Sequence, residues 1–597
     1  MSSNHSSIKR KNYNLICYKL GLIVFSIIIL ISTIFLFTLN LKQSRQKELS
    51  LTKPTPIAAS IYPSQVSSDL FINLPFWWNS DFAQYSKIAV NNPTNNTIDQ
   101  DKYATFSFNH LILVQKGMSS ADGSDFQMVY KNGKEIQKID FNIENPNTTS
   151  TLISFNTRNG IKSKLIDDNY FLYFNNRNNT SQTKRQITSS SDQLYARIVE
   201  TINFPFLITS SRQWLLKGSN LSDEYSKQHI VLKIDKNIRD KLLPTITQSF
   251  NLAISTTNKQ YPLTKNNDGD FETYINSDSL EVGDYIVQAN IKLNTYEFKS
   301  QRIKFIVSYP LYITWSIDWE GFDVNNKYLD EMTALSAQFK IPMTQFFNPR
   351  IYNISVLSLQ RKEYLTNWIK DRINIGDELG MHLHMFQDMV AASGVIPKSQ
   401  PDWGSRSNGY STLTTAYSAP EFAKMLNWGI EQFKANGLGV PKGYRAGGWF
   451  INSELLTVLN DNGFVYDSSG RESYIFGIKP QKGFWNLGST TKPYRPNTLN
   501  QNSSSNPNLK LWEIPNNGLD STNNTENVMI SKYRDNFSGT PLPSSQILTF
   551  CTHPHWMNID IPRLEKLFST IDSSAASHDN GPIIYKTIYN AYLDYTK

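Results

Sequence analysis

Residues 309–321 read Tyr309-Pro310-Leu311-Tyr312-Ile313-Thr314-Trp315-Ser316-Ile317-Asp318-Trp319-Glu320-Gly321, an apolar run that ends in two acids. The run has the length and the β-branched and aromatic content of a buried strand. Side chains two apart in a strand share a face, so Asp318 and Glu320 should project together from its tip. Two carboxylates placed in this way suit a metal site, in which one holds a divalent ion and the other takes a proton from its bound water. A helix-capping aspartate beside a solvated glutamate fits the same letters, so the surrounding chain has to decide.

Beyond this stretch the pattern alternates strand and helix. A helix over Asn325–Phe339 sets Tyr328, Met332, Leu335 and Phe339 on one face. Met343–Phe347 is a strand, the next helix turns Tyr364, Leu365, Trp368 and Ile369 to the core, and Leu379–His384 is a third strand. Ser418 with Glu421 forms a capping box ahead of Phe422, Met425, Leu426 and Phe433, and Gly437 stops that helix. Further strands are Gly443–Arg445, Phe464–Asp467, Leu511–Ile514 and Ile547–Cys551. Such alternation implies parallel strands ringed by helices, as an open sheet or a barrel.

Asp318, His382, His384, Arg445, Asp467, Glu513 and His553 all fall at the carboxyl ends of these strands, the rim where parallel barrels build their sites. Four of the eight histidines stand there in two pairs, 382/384 and 553/555. His-x-His in a strand puts both imidazoles on one face, a spacing that can chelate one metal. Two hydrogen-bonded core histidines are the plain alternative, and the acids of Asp318-Trp319-Glu320 favour the metal.

The first half of the chain reads differently. Lys9, Arg10, Lys11 and Lys19 precede an uncharged run, Leu20 to Leu39, about the 20 residues that span a bilayer. It is longer than a signal-peptide core and lacks a nearby cleavage site, so we read a signal anchor at 20–40, with residues 1–19 in the cytoplasm. Cys17 and Cys551 then lie on opposite sides of the membrane and cannot pair. Residues 41–65 form a tether. Short β-like runs fill 66–175, with Asn132-Gly133 marking a hairpin, and 176–194 is a low-complexity linker. Residues 195–308 are again β, with Tyr285, Val287, Ala289, Ile291 and Leu293 in strict alternation. His110 and His229 are isolated and carry no site. With 18% charged residues, the net charge of +8 is thinly spread and lacks the basic stripe of a nucleic-acid binder.

Several phrases carry resemblances. Asp122–Phe126, Lys131–Glu135 and Tyr173–Asn176 together resemble a bacterial β-sandwich module of the jelly-roll kind, and 195–308 looks like an immunoglobulin-like sandwich. Residues 309–597 resemble the polysaccharide deacetylases of the NodB homology type, carbohydrate esterase family four. Asp318-Trp319-Glu320 looks like the family's first motif, Glu378–His382 its second, Tyr444–Gly448 its third, and Phe550–Pro554 its histidine-bearing last. Gly463–Ser469 and Trp512–Pro515 resemble phrases that lie between them.

The resemblance implies a distorted seven-stranded (β/α) barrel, which with the readings above makes a multidomain chain of membrane helix, two β-sandwich-like modules and barrel. It also implies a hydrolase of non-peptide carbon–nitrogen bonds that removes N-acetyl groups from an amino-sugar polysaccharide. By its logic Asp318 is the general base, oriented by Arg445, and His553 is the general acid with His555 in reserve. Glu320, His382 and His384 bind a divalent metal, zinc first, and Asp467 joins the catalytic rim. Two departures stand out: Trp319 separates the acids, and Phe386 occupies the family's second-histidine position, so His384 takes that role. A barrel amidohydrolase, or an inactive carbohydrate-binding or assembly protein, is the alternative.

Overall fold

The computed structural model describes residues 77–597 except 80, 134, 177–192, 204, 219, 237, 246–247, 256, 258, 295 and 405. The expected tail, membrane anchor and tether (1–65) and nearly all of the 176–194 linker lie outside the described residues. Among the described residues, no helix is long and apolar enough to cross a membrane.

Eight strands between Phe82 and Asn203 make one sheet that folds over on itself, so that Ile88, Met128 and Tyr170 of one half pack in a single core with Phe106, Ile153 and Phe155 of the other. The hairpin at Asn132-Gly133 joins Gln127–Asn132 to Glu135–Ile139. Strand Gln193–Asn203 runs antiparallel to Phe82–Asn91 and, at its start, parallel to Tyr103–Phe108. This corrects the reading that ends the first module at 175 and opens the second at 195, because the boundary falls after Asn203. Strand partners are chosen by backbone hydrogen bonds that side-chain periodicity does not reveal.

Residues 206–308 form a second sandwich, its sheets meeting at Phe250 and Phe271 with ring centroids 4.1 Å apart. In strand Gly283–Leu293 the residues Tyr285, Val287, Ala289, Ile291 and Leu293 are all buried, as their alternation requires. The module is tied to the barrel that follows. Trp214 and Gln213 donate their backbone N–H groups to Asp579 at 2.9 and 2.5 Å, and Trp214 packs on Phe537.

The third region is a curled parallel sheet. Its strands are β1 (Leu311–Asp318), β2 (Met343–Phe347), β3 (Glu378–Leu383), β4 (Gly443–Ala446), β5 (Tyr466–Asp467), β6 (Trp512–Glu513) and β7 (Gln546–Thr552). They pair in chain order from β1 to β6, and β7 pairs back on β1. Between β6 and β7 the chain itself completes the circuit, with Gly518 and Ser521 donating to the Thr549 and Cys551 carbonyls at 2.9 Å. Every β1 residue is buried, as expected of a strand covered on both faces.

The helices pack much as their periodicity requires, with shifted faces. Asn326–Phe339 buries Leu329, Met332 and Leu335, with Tyr328 and Phe339 at the margin. Leu359–Asn374 buries Leu365 and Ile369 and leaves Tyr364 43% exposed, so Tyr364 is not a core residue. Glu421 closes the capping box on the Ser418 N–H at 2.8 Å.

A buried ion pair braces β2 against β3. Arg372 donates two hydrogen bonds to Asp377, both at 2.9 Å, and Asp377 also accepts from Met343 N and Gln345 Nε2. Asp377→Ala would leave the Arg372 charge buried and unpaired, a defect that typically costs about 3–5 kcal/mol. We expect chemical denaturation of this variant to show a loss of that order, and a loss under about 1 kcal/mol would contradict the assigned role.

Candidate active site

The residue between the two acids explains how they come to share a face. Trp319 is fully buried, packs on Phe347 and Trp368, and donates its indole N–H to Gln345 Oε1 at 2.9 Å. Gln345 is held in turn by Asp377. With Trp319 anchored in the core, Asp318 and Glu320 turn the other way, into a cavity of about 460 Å³ at the carboxyl ends of the strands. Gly321 then reverses the chain at φ +76°, a conformation that favours glycine, close against Asn348.

Asp318 is 1% exposed and accepts from Arg445 Nη1 at 2.8 Å. Arg445 is itself fixed by Ser316 Oγ, the Ser468 carbonyl and Ser468 Oγ, at 2.6–2.8 Å. Burial alone would raise the Asp318 carboxyl, but Arg445, then His382 and His553, outweigh it and hold it below its usual range. Glu320 is held well below the carboxylate range in the same way, burial being outweighed chiefly by His384.

The two histidines of β3 are oriented by backbone carbonyls. His382 Nδ1 donates to the Arg445 carbonyl at 3.0 Å, and His384 Nδ1 donates to the Tyr410 carbonyl at 2.9 Å. In the neutral rings Nε2 is therefore the lone-pair nitrogen. His382 Nε2 is buried without a hydrogen-bond partner, and His384 Nε2 stands 2.7 Å from Glu320 Oε2, which also lacks one. A lone pair facing a carboxylate oxygen at that distance is repulsive unless a cation or a proton lies between them. Burial pulls His382 down to about 4, which keeps that ring neutral as a metal ligand must be. Gly447 leaves room for His384, since a β-carbon there would stand 2.8 Å from its Nδ1. The donor atoms of Glu320, His382 and His384 all lie within 4.8 Å of one another. Asp318, Cys551 and His553 meet the same limit, but Arg445 already neutralises Asp318 and burial keeps the Cys551 thiol protonated.

His553 faces the cavity from the other side, its Nε2 3.4 Å from Glu320 Oε1. The Thr522 hydroxyl donates to Asp560 Oδ2 at 2.9 Å, so it accepts from His553 Nδ1 at 3.0 Å. Burial would lower the His553 pKa, but Glu320, Asp318, Asp520 and Asp560 outweigh it and raise it. Trp403, Tyr410, Trp449 and Trp556 wall the cavity.

Solved structures similar to this chain over about half its length are polysaccharide deacetylases of carbohydrate esterase family four. One is the peptidoglycan deacetylase PdaC of Bacillus subtilis, at 12% identity over 48% of this chain and 91% of that one, with a TM-score of 0.25. A family 4 carbohydrate esterase of Streptomyces lividans in complex with acetate matches at 9% identity, over 47% and 95%, with a TM-score of 0.25. BA3943 of Bacillus anthracis, a pseudoenzyme of that family, matches at 10% identity, over 47% and 65%, with a TM-score of 0.25. No protein-family model and no curated sequence matches the chain. At these identities the residue roles rest on the contacts described above.

Two expected residues, Asp467 and His555, stand apart from this cluster. Asp467 does not line the cavity; Ser469 holds it, and burial raises it to about 6 opposite Glu513, which is raised further. That correction follows from the pleat, because Asp467 and Glu513 at the ends of β5 and β6 turn toward each other. His555 also lies off the cavity, edge-on to Phe322, with burial lowering it to about 4. Phe386 is buried under the Arg350 guanidinium, 3.7 Å from the ring centroid. Sequence reading missed Tyr410, Thr522 and Asp560, which come from loops and a helix where no periodicity marks them.

Proposed function

We propose that this chain is a metal-dependent polysaccharide deacetylase that removes N-acetyl groups from an amino-sugar polymer. The observation that carries the reading is the two imidazoles tied through Nδ1 to backbone carbonyls, their Nε2 atoms converging with Glu320 beside the Asp318–Arg445 pair. Glu320, His382 and His384 would hold a divalent ion, zinc first, which when bound polarises a carbonyl and lowers the pKa of water.

The remaining work belongs to the chain. Arg445 fixes one oxygen of Asp318 and keeps the group ionised, so the carboxylate can take the proton of the attacking water. Across the cavity, His553 is held through Thr522 to Asp560 and turned with Nε2 inward. As the imidazolium it can protonate the departing amine nitrogen, completing cleavage of the amide to acetate and a free amine. The aromatic walls suit the apolar faces of sugar rings.

Acetate release from a panel of N-acetylated glycans, with metal content measured on the same samples, tests the proposal. Metal-loaded protein that binds such glycans and releases no acetate would replace it with the carbohydrate-binding reading.

The uncharged apolar run Leu20 to Leu39 with its basic flank supports the reading of a single-pass membrane protein with the barrel outside the cytosol. A reporter fused after Lys597 should be active only in the exported compartment, and cytosolic activity would overturn this placement.

A further inference from the structure

Arg406 is the one lysine or arginine among the described residues that line the cavity. The neighbouring cations are committed to carboxylates: Lys479 to Asp402 at 3.1 Å, Arg350 to Asp388 at 2.8 Å, and Arg445 to Asp318. Arg406 is exposed and has no carboxylate within ion-pair distance among the described residues. Its guanidinium lies instead over two rings, 4.5 Å from the Phe322 centroid and 4.7 Å from that of Tyr410.

Two ring faces attract the cation through their π-systems and accept none of its N–H groups as carboxylates would, which leaves those donors for a ligand. A planar fork of donors held that way matches a carboxylate, which it can bind through two parallel hydrogen bonds. Its position ties it to the reaction centre. The Tyr410 ring under Arg406 stacks on His384 with centroids 4.2 Å apart and an interplanar angle of 5°. The Tyr410 ring thus contacts both the proposed metal ligand and the free cation, and all three line the same cavity.

Resting on the deacetylase reading, we propose that Arg406 selects an acidic substrate: an amino-sugar polymer that carries a carboxylate beside the N-acetyl group to be removed. That carboxylate could belong to a uronic acid or to a lactyl ether on the amino sugar. Both present the same planar anion.

The test uses the full chain loaded with zinc and three oligosaccharide sets: neutral N-acetylglucosamine oligomers, uronate-containing oligomers, and oligomers bearing lactyl ethers. Acetate release gives kcat and KM, and calorimetry gives binding independently of turnover. At least one acidic set should exceed the neutral set in kcat/KM by roughly 10- to 100-fold, the worth of a charge-assisted hydrogen bond. The acidic set preferred identifies the source of the carboxylate. Arg406→Met should collapse the acidic-to-neutral ratio toward one, through KM rather than kcat, and Arg406→Lys should restore part of it. Carboxyl-reduced versions of the preferred set should behave as neutral substrates.

Equal use of neutral and acidic sets by the unmodified protein would overturn the proposal, as would an Arg406→Met variant that keeps the preference. Acidic binding that depends on Arg406 without any acetate release would uphold carboxylate recognition while refuting the deacetylase. Absence of both binding and release with every set would refute both.

Discussion

Asp318→Asn should lower the rate of acetate release by about 10²–10⁴-fold, the usual cost of losing a general base, while the protein keeps its metal. The side chain keeps its shape, and an amide oxygen can still accept from Arg445 Nη1. What it loses is the capacity to take a proton, and no other carboxylate can substitute. Glu320 is the proposed metal ligand, and Asp467 and Glu513 face each other outside the cavity. The substitution also leaves Arg445 buried without a counter-charge, which is destabilising by about 3–5 kcal/mol where a pair is wholly buried. The double variant Asp318→Asn, Arg445→Met separates the two effects by removing both charges. It should recover most of the lost stability in a denaturant melt and none of the rate. If Asp318→Asn turns over normally with metal bound, or if the double variant regains activity, the base is another group.

The same two acids show how far the sequence could be read. Strand periodicity put Asp318 and Glu320 on one face, and the geometry agrees because Trp319 has a core site and a hydrogen-bond partner that force the alternation. The His-x-His spacing of 382 and 384 was legible for the same reason. Asp467 shows the limit of the rule. A carboxyl end of a strand is a place, and whether its last side chain faces the cavity or a neighbouring strand depends on a two-residue strand whose phase a pattern cannot fix. The groups that orient the histidines were not legible at all. Tyr410 reaches His384 from a loop 26 residues downstream, and Thr522 and Asp560 reach His553 from opposite sides in the chain. Such contacts are made across the folded chain, by loops and by one polar residue of a helix, where no apolar periodicity marks them.

Loss of the proposed metal ligands is the second large effect. Altering an outer group that orients a ligand commonly costs 10–100-fold in metal affinity, and removing a ligand should cost more. Glu320→Gln, His382→Ala and His384→Ala should each therefore lose zinc on dialysis against a weak chelator that leaves the unmodified protein loaded. Acetate release should fall with metal content in all three, whereas Asp318→Asn loses rate alone. Stability offers a readout free of turnover. A ligand that binds only the folded state stabilises it by about 2.7 kcal/mol at a free concentration one hundred times its dissociation constant. Zinc should thus raise the melting temperature of the unmodified metal-free protein and leave the three variants where they are. The His384→Ala result weighs most, because His384 is the proposed third donor and the nearby Phe386 offers no replacement. Phe386 is buried against Arg350 and cannot take over. Full zinc content and an unchanged thermal shift in His384→Ala would remove it from the ligand set and leave Glu320 and His382 without the third donor the site requires.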